Sequence, residues 1–134
     1  MSTDNPDVTL EHRILHIRFN RPEKKNAFNR AGWLGLRDAL VRAREDDDVS
    51  VVALSGAGKD FSAGVDFTDF AGDPSEQPPF EQMMDELCKL DKPLLAAAKG
   101  VAIGFGATAL FHCDVVYVGE SLRMRLPFVN LGLV

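Results

Sequence analysis

An α/β fold with mainly parallel strands is predicted for this chain by three observations. Two apolar strands, 51–55 and 94–98, each run into a turn rich in glycine and small residues, 56–66 and 99–106. Segments of helical periodicity, 29–46 and 80–90, lie between the strands and are too long for hairpin loops. The resulting order of strand, helix, strand, helix, strand implies parallel pairing with helices packed outside. Both glycine turns are read as leading into a helix, where backbone N–H groups lack intrahelical partners. Two such donors converging from separate turns can hold a developing oxyanion.

The elements follow in order. Residues 8–19 read as a hairpin, with Leu15, Ile17 and Phe19 alternating against Ile14, His16 and Arg18 around a polar turn near Glu11 and His12. The polar, proline-broken stretch 20–26 is a loop. Asn29 is an N-cap for a helix to about residue 46, with Trp33, Leu36, Leu40 and Ala43 on one face and Arg30, Arg37 and Arg44 opposite. Residues 49–55 form a buried strand by their near-continuous apolar run. Asp66 and Asp69 read as a capping pair for a short helix, and the proline-rich 71–79 as a mobile loop. Phe80, Met83, Met84, Leu87 and Leu90 mark an amphipathic helix. A strand at 94–98, a short buried helix at 104–111, a strand at 115–118 and one more at 122–126 complete the chain.

The 134 residues fit one domain with a core that needs no disulfides. A net charge of −5 with scattered Lys and Arg argues against nucleic-acid partners. Cys88 and Cys113 lie in apolar stretches without metal or redox spacing, and read as reduced core residues of a cytoplasmic protein. Residues 1–7 lack the features of a signal peptide, and no apolar run reaches membrane-spanning length.

Several constellations compete for chemistry. Gly104, Gly106 and Ala109 satisfy a dinucleotide fingerprint, but they come late in the chain and no acidic residue follows at the expected distance. Close helix–sheet packing and anion holding both explain the same glycines. Gly56, Gly58 and Lys59 have the wrong spacing for a P-loop, and Asp60 stands where a Ser or Thr is needed. Small residues Ser62, Ala63 and Gly64 leave room for a ligand chain, and Val65 offers an N–H. His112 reads as a satisfied structural histidine, and His12 and His16 as surface residues. Thr108, one helical turn beyond Gly104, could face the pocket, but its hydroxyl is a poor general base. No nucleophile–base set and no metal-ligand cluster stands out. The residues offer an oxyanion site without a base.

Four motifs in this order resemble the crotonase superfamily, the enoyl-CoA hydratase/isomerase family: 17–27, 51–67, 92–114 and 127–132. The resemblance implies a spiral of ββα units, assembly as a homotrimer or hexamer, and action on acyl-CoA thioesters without a separate cofactor. It implies that the thioester carbonyl sits between the N–H groups of Val65 and Phe105. Lys25, Ala27, Ser62, Ala63, Gly64, Asp66, Phe67, Gly104, Gly106 and Thr108 then form the substrate site. The adenine end of CoA falls near 25–27 and 62–63.

Two departures from that pattern shape the expectation. Hydratases of the family carry glutamates at the positions matching Thr108 and Phe128, so two-glutamate hydration is not expected. Residues 126–134 are instead similar to the Δ3,Δ2-enoyl-CoA isomerase branch, whose glutamate base lies a few residues beyond this run. Residues 1–134 are therefore expected to be the N-terminal part of a single crotonase-like domain, truncated before the C-terminal helical region. A double-bond shift in an enoyl-CoA is the function so implied; the alternative is a non-catalytic CoA-binding or assembly protein.

Overall fold

The computed structural model describes residues 4–69 and 73–132. Strands β1 (Asp7–Glu11) and β2 (Ile14–Phe19) form the expected antiparallel hairpin, closed at Glu11 opposite Ile14. Its two turn residues, His12 and Arg13, both adopt positive φ, the twist that two-residue hairpins favour. Arg13 is anchored there by donating to Ser50 Oγ and the Asp47 carbonyl, both at 2.8 Å. A single 3-10 turn, Pro22–Lys24, follows. Helix α1 (Arg30–Glu45) starts where the Asn29 side chain accepts from Gly32 N, as its sequence predicts.

Strand β3 (Val51–Gly56) pairs parallel to β2, β4 (Leu94–Ala98) parallel to β3, and β6 (Val115–Val118) parallel to β4, giving the sheet order β1-β2-β3-β4-β6. Leu15, Ile17, Phe19, Val52, Leu54, Leu94 and Ala96 join Trp33, Leu36 and Leu40 of α1 in one core. Helix α2 (Pro79–Lys89) adds Met83 and Leu87. Lys92 fastens the C-terminal end of α1, its Nζ donating to the carbonyls of Ala43 and Asp46 at 2.6 and 2.8 Å.

Several expectations need correction. Between β4 and α3 (Phe105–Phe111) lies a strand the sequence reading passed over, β5 (Val101–Ile103). It pairs parallel with β7 (Arg123–Arg125), and this two-stranded sheet places Gly104. Among the described residues no helix begins at the first glycine turn: the Asp66 carboxylate accepts from Thr68 and the chain makes only a tight turn. Cys88 is exposed, because it lies off the α2 stripe that buries Met83 and Leu87. Cys113 is half-buried, where burial and the neighbouring Asp114 push its thiol up to about 11. His112 is exposed at the C-terminal end of α3 rather than buried, and Phe111 also faces solvent. Residues 70–72, which include the start of the proline-rich loop 71–79, and the terminal Leu133 and Val134 lie outside the described residues.

Candidate active site

Three backbone segments are stitched side by side to make the site. Phe28 N donates to Gly64 O at 2.7 Å and Asp66 N to Phe28 O at 2.9 Å. Ala63 N reaches Lys25 O at 2.9 Å. On the other side, Phe61 N and Ser62 N share the Val101 carbonyl, and Ile103 N donates to Ser62 O at 3.0 Å. Segment 61–66 is thus held between 25–28 and 101–106.

The bonds to Phe28 use the Gly64 carbonyl and the Asp66 N–H, so along extended backbone the intervening Val65 N–H faces away from Phe28. Gly64 has φ +83°, and a Cβ built on it would lie 2.7 Å from Ile103 O and 3.3 Å from Phe105 N. The two glycine turns therefore meet backbone to backbone. Gly106 is closer still, its Cβ position only 2.1 Å from Ser62 O. Gly104, at φ 59° and ψ −122°, lets the chain swing from β5 into α3, a conformation that glycine alone adopts at low cost. Phe105 is the first residue of that helix, where an N–H has no intrahelical acceptor. Among the described residues, neither Val65 N nor Phe105 N has an acceptor.

Buried side chains hold this arrangement. Ser62, fully buried, donates from Oγ to Asn26 O at 2.9 Å and accepts from Gly64 N at 3.0 Å. Asn26 adopts φ +57° and sends Nδ2 to the carbonyls of Ala57 and Asp60, while its Oδ1 accepts from Arg21 N. Asn26 lies within the 25–27 segment that sequence reasoning put near the site, but its supporting role was not foreseen. The available signal was an asparagine, tolerant of positive φ, at the end of a polar loop.

The other predicted residues occupy distinct roles. Asp66 pairs with Arg21 at 3.0 Å and accepts from both the hydroxyl and N–H of Thr68. Those Thr68 bonds, then Arg21, hold its carboxyl down to about 2 against the opposing effect of burial. It is an ionised structural strut rather than a base. Thr108 Oγ1 leans on the Phe105 carbonyl at 3.3 Å, so its hydroxyl proton is engaged within its own helix. Lys25 and Phe67 are exposed, and Ala27 and Ala63 are half-buried. Phe128 comes to the site, its Cε1 lying 3.9 Å from the Cβ position of Gly104. The Phe105 ring is fixed in an aromatic cluster, with centroids 5.0 Å from Trp33, 5.6 Å from Phe28 and 5.9 Å from Phe80. Among the described residues, no group of His, Cys, Asp and Glu could hold a metal ion, and no helix is long and apolar enough to cross a membrane.

Comparison with known proteins gives this geometry its context. The family model described as enoyl-CoA hydratase/isomerase matches residues 9–134. The Δ(3,5)-Δ(2,4)-dienoyl-CoA isomerase of Rattus norvegicus is 32% identical over 94% of this chain and 43% of its own length. The 2,3-dehydroadipyl-CoA hydratase of Escherichia coli K12 is 35% identical over 94% of this chain and 51% of its own. A solved enoyl-CoA hydratase/isomerase from Pseudoalteromonas atlantica superimposes with a TM-score of 0.91 at 40% identity, covering 97% of this chain and 52% of that one. OdaA from Pseudomonas aeruginosa superimposes with a TM-score of 0.89 at 39% identity, covering 97% and 53%. The chain spans about half the length of these relatives. It belongs to the enoyl-CoA hydratase/isomerase family.

Proposed function

We propose that this chain supplies the oxyanion-stabilising half of an enzyme that shifts a double bond in an enoyl-CoA thioester. The observation that carries the reading is the meeting of the Gly64 and Gly104–Gly106 turns, with the Val65 and Phe105 N–H groups left without acceptors. A thioester carbonyl between them gains negative charge when a proton leaves the neighbouring carbon, and preorganised N–H donors stabilise that enolate. Segments 25–27 and 62–63 take the nucleotide end of CoA, so the thioester substrate carries its own coenzyme. Asp66 is committed to Arg21 and Thr68. The proton-transferring base is therefore assigned to a carboxylate outside these 134 residues, and the working assembly to a trimer or hexamer. The free thiols of Cys88 and Cys113 support a reducing, cytoplasmic compartment.

A second reading, CoA binding or assembly without catalysis, is favoured by Thr108 and Phe128, which put a bonded hydroxyl and a phenyl ring beside the turn. Two measurements decide. Acetyl-CoA or a longer acyl-CoA at ten times its Kd raises stability by about 1.4 kcal/mol, a melting shift of roughly 5 °C. No shift at millimolar ligand overturns the first reading and the CoA-binding form of the second. Turnover of a 3-enoyl-CoA by this chain alone overturns the non-catalytic one.

A further inference from the structure

We propose a second, separate anion site that takes a phosphate group, in the cavity at the opposite end of β5 and β7 from Gly64 and Gly104–Gly106. The cavity, about 470 Å³, lies between the turn after β3, the β4–β5 turn and the start of β7. Lys59, Lys99 and Arg123 line it, one from each segment.

These three cations are free and lie around one cavity. Many other basic side chains are spoken for: Arg18 pairs with Asp7, Arg21 with Asp4 and Asp66, Arg30 with Glu76 and Arg44 with Glu86. Lys24, Lys25 and Arg125 likewise have no side-chain partner among the described residues, but they do not line this cavity. Lys92 is consumed by two carbonyls. Lys59, Lys99 and Arg123 have no ion pair and no side-chain hydrogen bond among the described residues. Such convergence of like charge is unfavourable without a counter-ion, and it occurs in a chain whose net charge is −5. One carboxylate, Asp60, also lines the cavity, but its Oδ1 accepts from Val101 N at 2.8 Å, which ties it to the cavity wall.

The donor set matches a tetrahedral oxyanion. Arg123 offers a planar fork of N–H donors, and the two lysines add compact charges. Ser121 Oγ accepts from Gly100 N at 3.0 Å, leaving its own proton to donate into the cavity. The position is fixed by backbone bonds, because Arg123 N donates to Gly100 O at 2.7 Å. The ligand chemistry is that of a phosphate, supplied either as the free ion or by a nucleotide. This site does not depend on the acyl-thioester reading.

Titration of the intact chain with inorganic phosphate, followed by calorimetry and 31P NMR at low salt, tests the proposal. Saturable binding is expected, weakened about tenfold by Arg123→Gln and again by Lys99→Gln, each removing one charged donor. Arg125→Gln removes a cation two residues along β7 that does not line the cavity, and is expected to leave affinity within twofold. Competition with adenosine 3′,5′-bisphosphate identifies the source: displacement assigns the site to a nucleotide, and no displacement assigns it to the free ion. Absence of binding at 10 mM phosphate, on the order of the weakest useful affinity, overturns the proposal. So does equal weakening by Arg123→Gln and Arg125→Gln.

Discussion

Replacing Gly106 by alanine tests how tightly the two glycine turns are locked. The added Cβ would stand 2.1 Å from the Ser62 carbonyl oxygen, more than 1 Å inside ordinary contact. Ser62 O is backbone and already accepts from Ile103 N at 3.0 Å, so it cannot rotate away as a side-chain tip could. Relief requires moving α3 off segment 61–66. Overpacking of this kind costs about 1–3 kcal/mol, and weakening the Ile103 bond adds about 1 kcal/mol. Helix propensity pulls the other way, since alanine in place of glycine gains at most about 1 kcal/mol. The clash wins, for a net loss of about 1–3 kcal/mol and a fall in melting temperature of roughly 4–12 °C. Trp33, stacked on Phe28 and edge-on to Phe105, reports the change by fluorescence. Because Phe105 N moves with the helix, acyl-CoA affinity falls as well, whereas Phe105→Leu keeps the N–H and loses about 1–2 kcal/mol of ring packing only. A Gly106→Ala chain that melts within about 2 °C of the parent and binds acyl-CoA normally would refute the reasoning.

Three further outcomes follow from the same geometry. Ser62→Ala leaves the buried Gly64 N–H without its acceptor and should destabilise by about 1–3 kcal/mol in urea unfolding. For Asp66, the folded carboxyl titrates near 2, below its unfolded value near 3.9, so its contribution is complete above that unfolded value. It is lost as pH falls through 2, and Asp66→Asn should flatten the acid limb of stability by on the order of 1 kcal/mol. The β6 edge exposes Tyr117 and Val118, with Leu131 exposed as well, so the chain should self-associate at micromolar concentration. Light scattering checks this; a stable monomer at micromolar concentration refutes it.

Much of the scaffold was legible because its signals are local. Asn29 caps α1 through its own side chain, and the apolar runs at 94–98 and 115–118 are the strands β4 and β6. The misses are non-local. Strand β5 is three residues long and defined by a partner at 123–125, so no periodicity within it could reveal it. A helix looked reasonable after Gly64 because Asp66 and Asp69 have capping spacing. Arg21, 45 positions earlier, instead claims the Asp66 carboxylate. Cys88 appears apolar by context, yet it sits one position beyond Leu87, turned away from the stripe α2 buries.

The site itself was partly legible for a reason tied to its chemistry. Donors drawn from the backbone place no demand on the side chains of Val65 and Phe105. They demand instead that neighbouring residues permit close approach and unusual φ, and this is what Gly64, Gly104 and Gly106 record. The demand then passes outward to whatever holds the backbone in place. Ser62 and Asn26 meet it by satisfying one another's segments in the interior, with Asn26 itself in a left-handed conformation. A search for acids, bases and metal ligands therefore passes over the residues that fix such a site. The informative marks are glycines whose missing Cβ atoms point at carbonyls, and buried polar side chains whose hydrogen bonds join segments far apart in sequence. By that measure the two N–H groups of Val65 and Phe105, and the glycines and buried polar side chains that bring them together, all lie within these 134 residues.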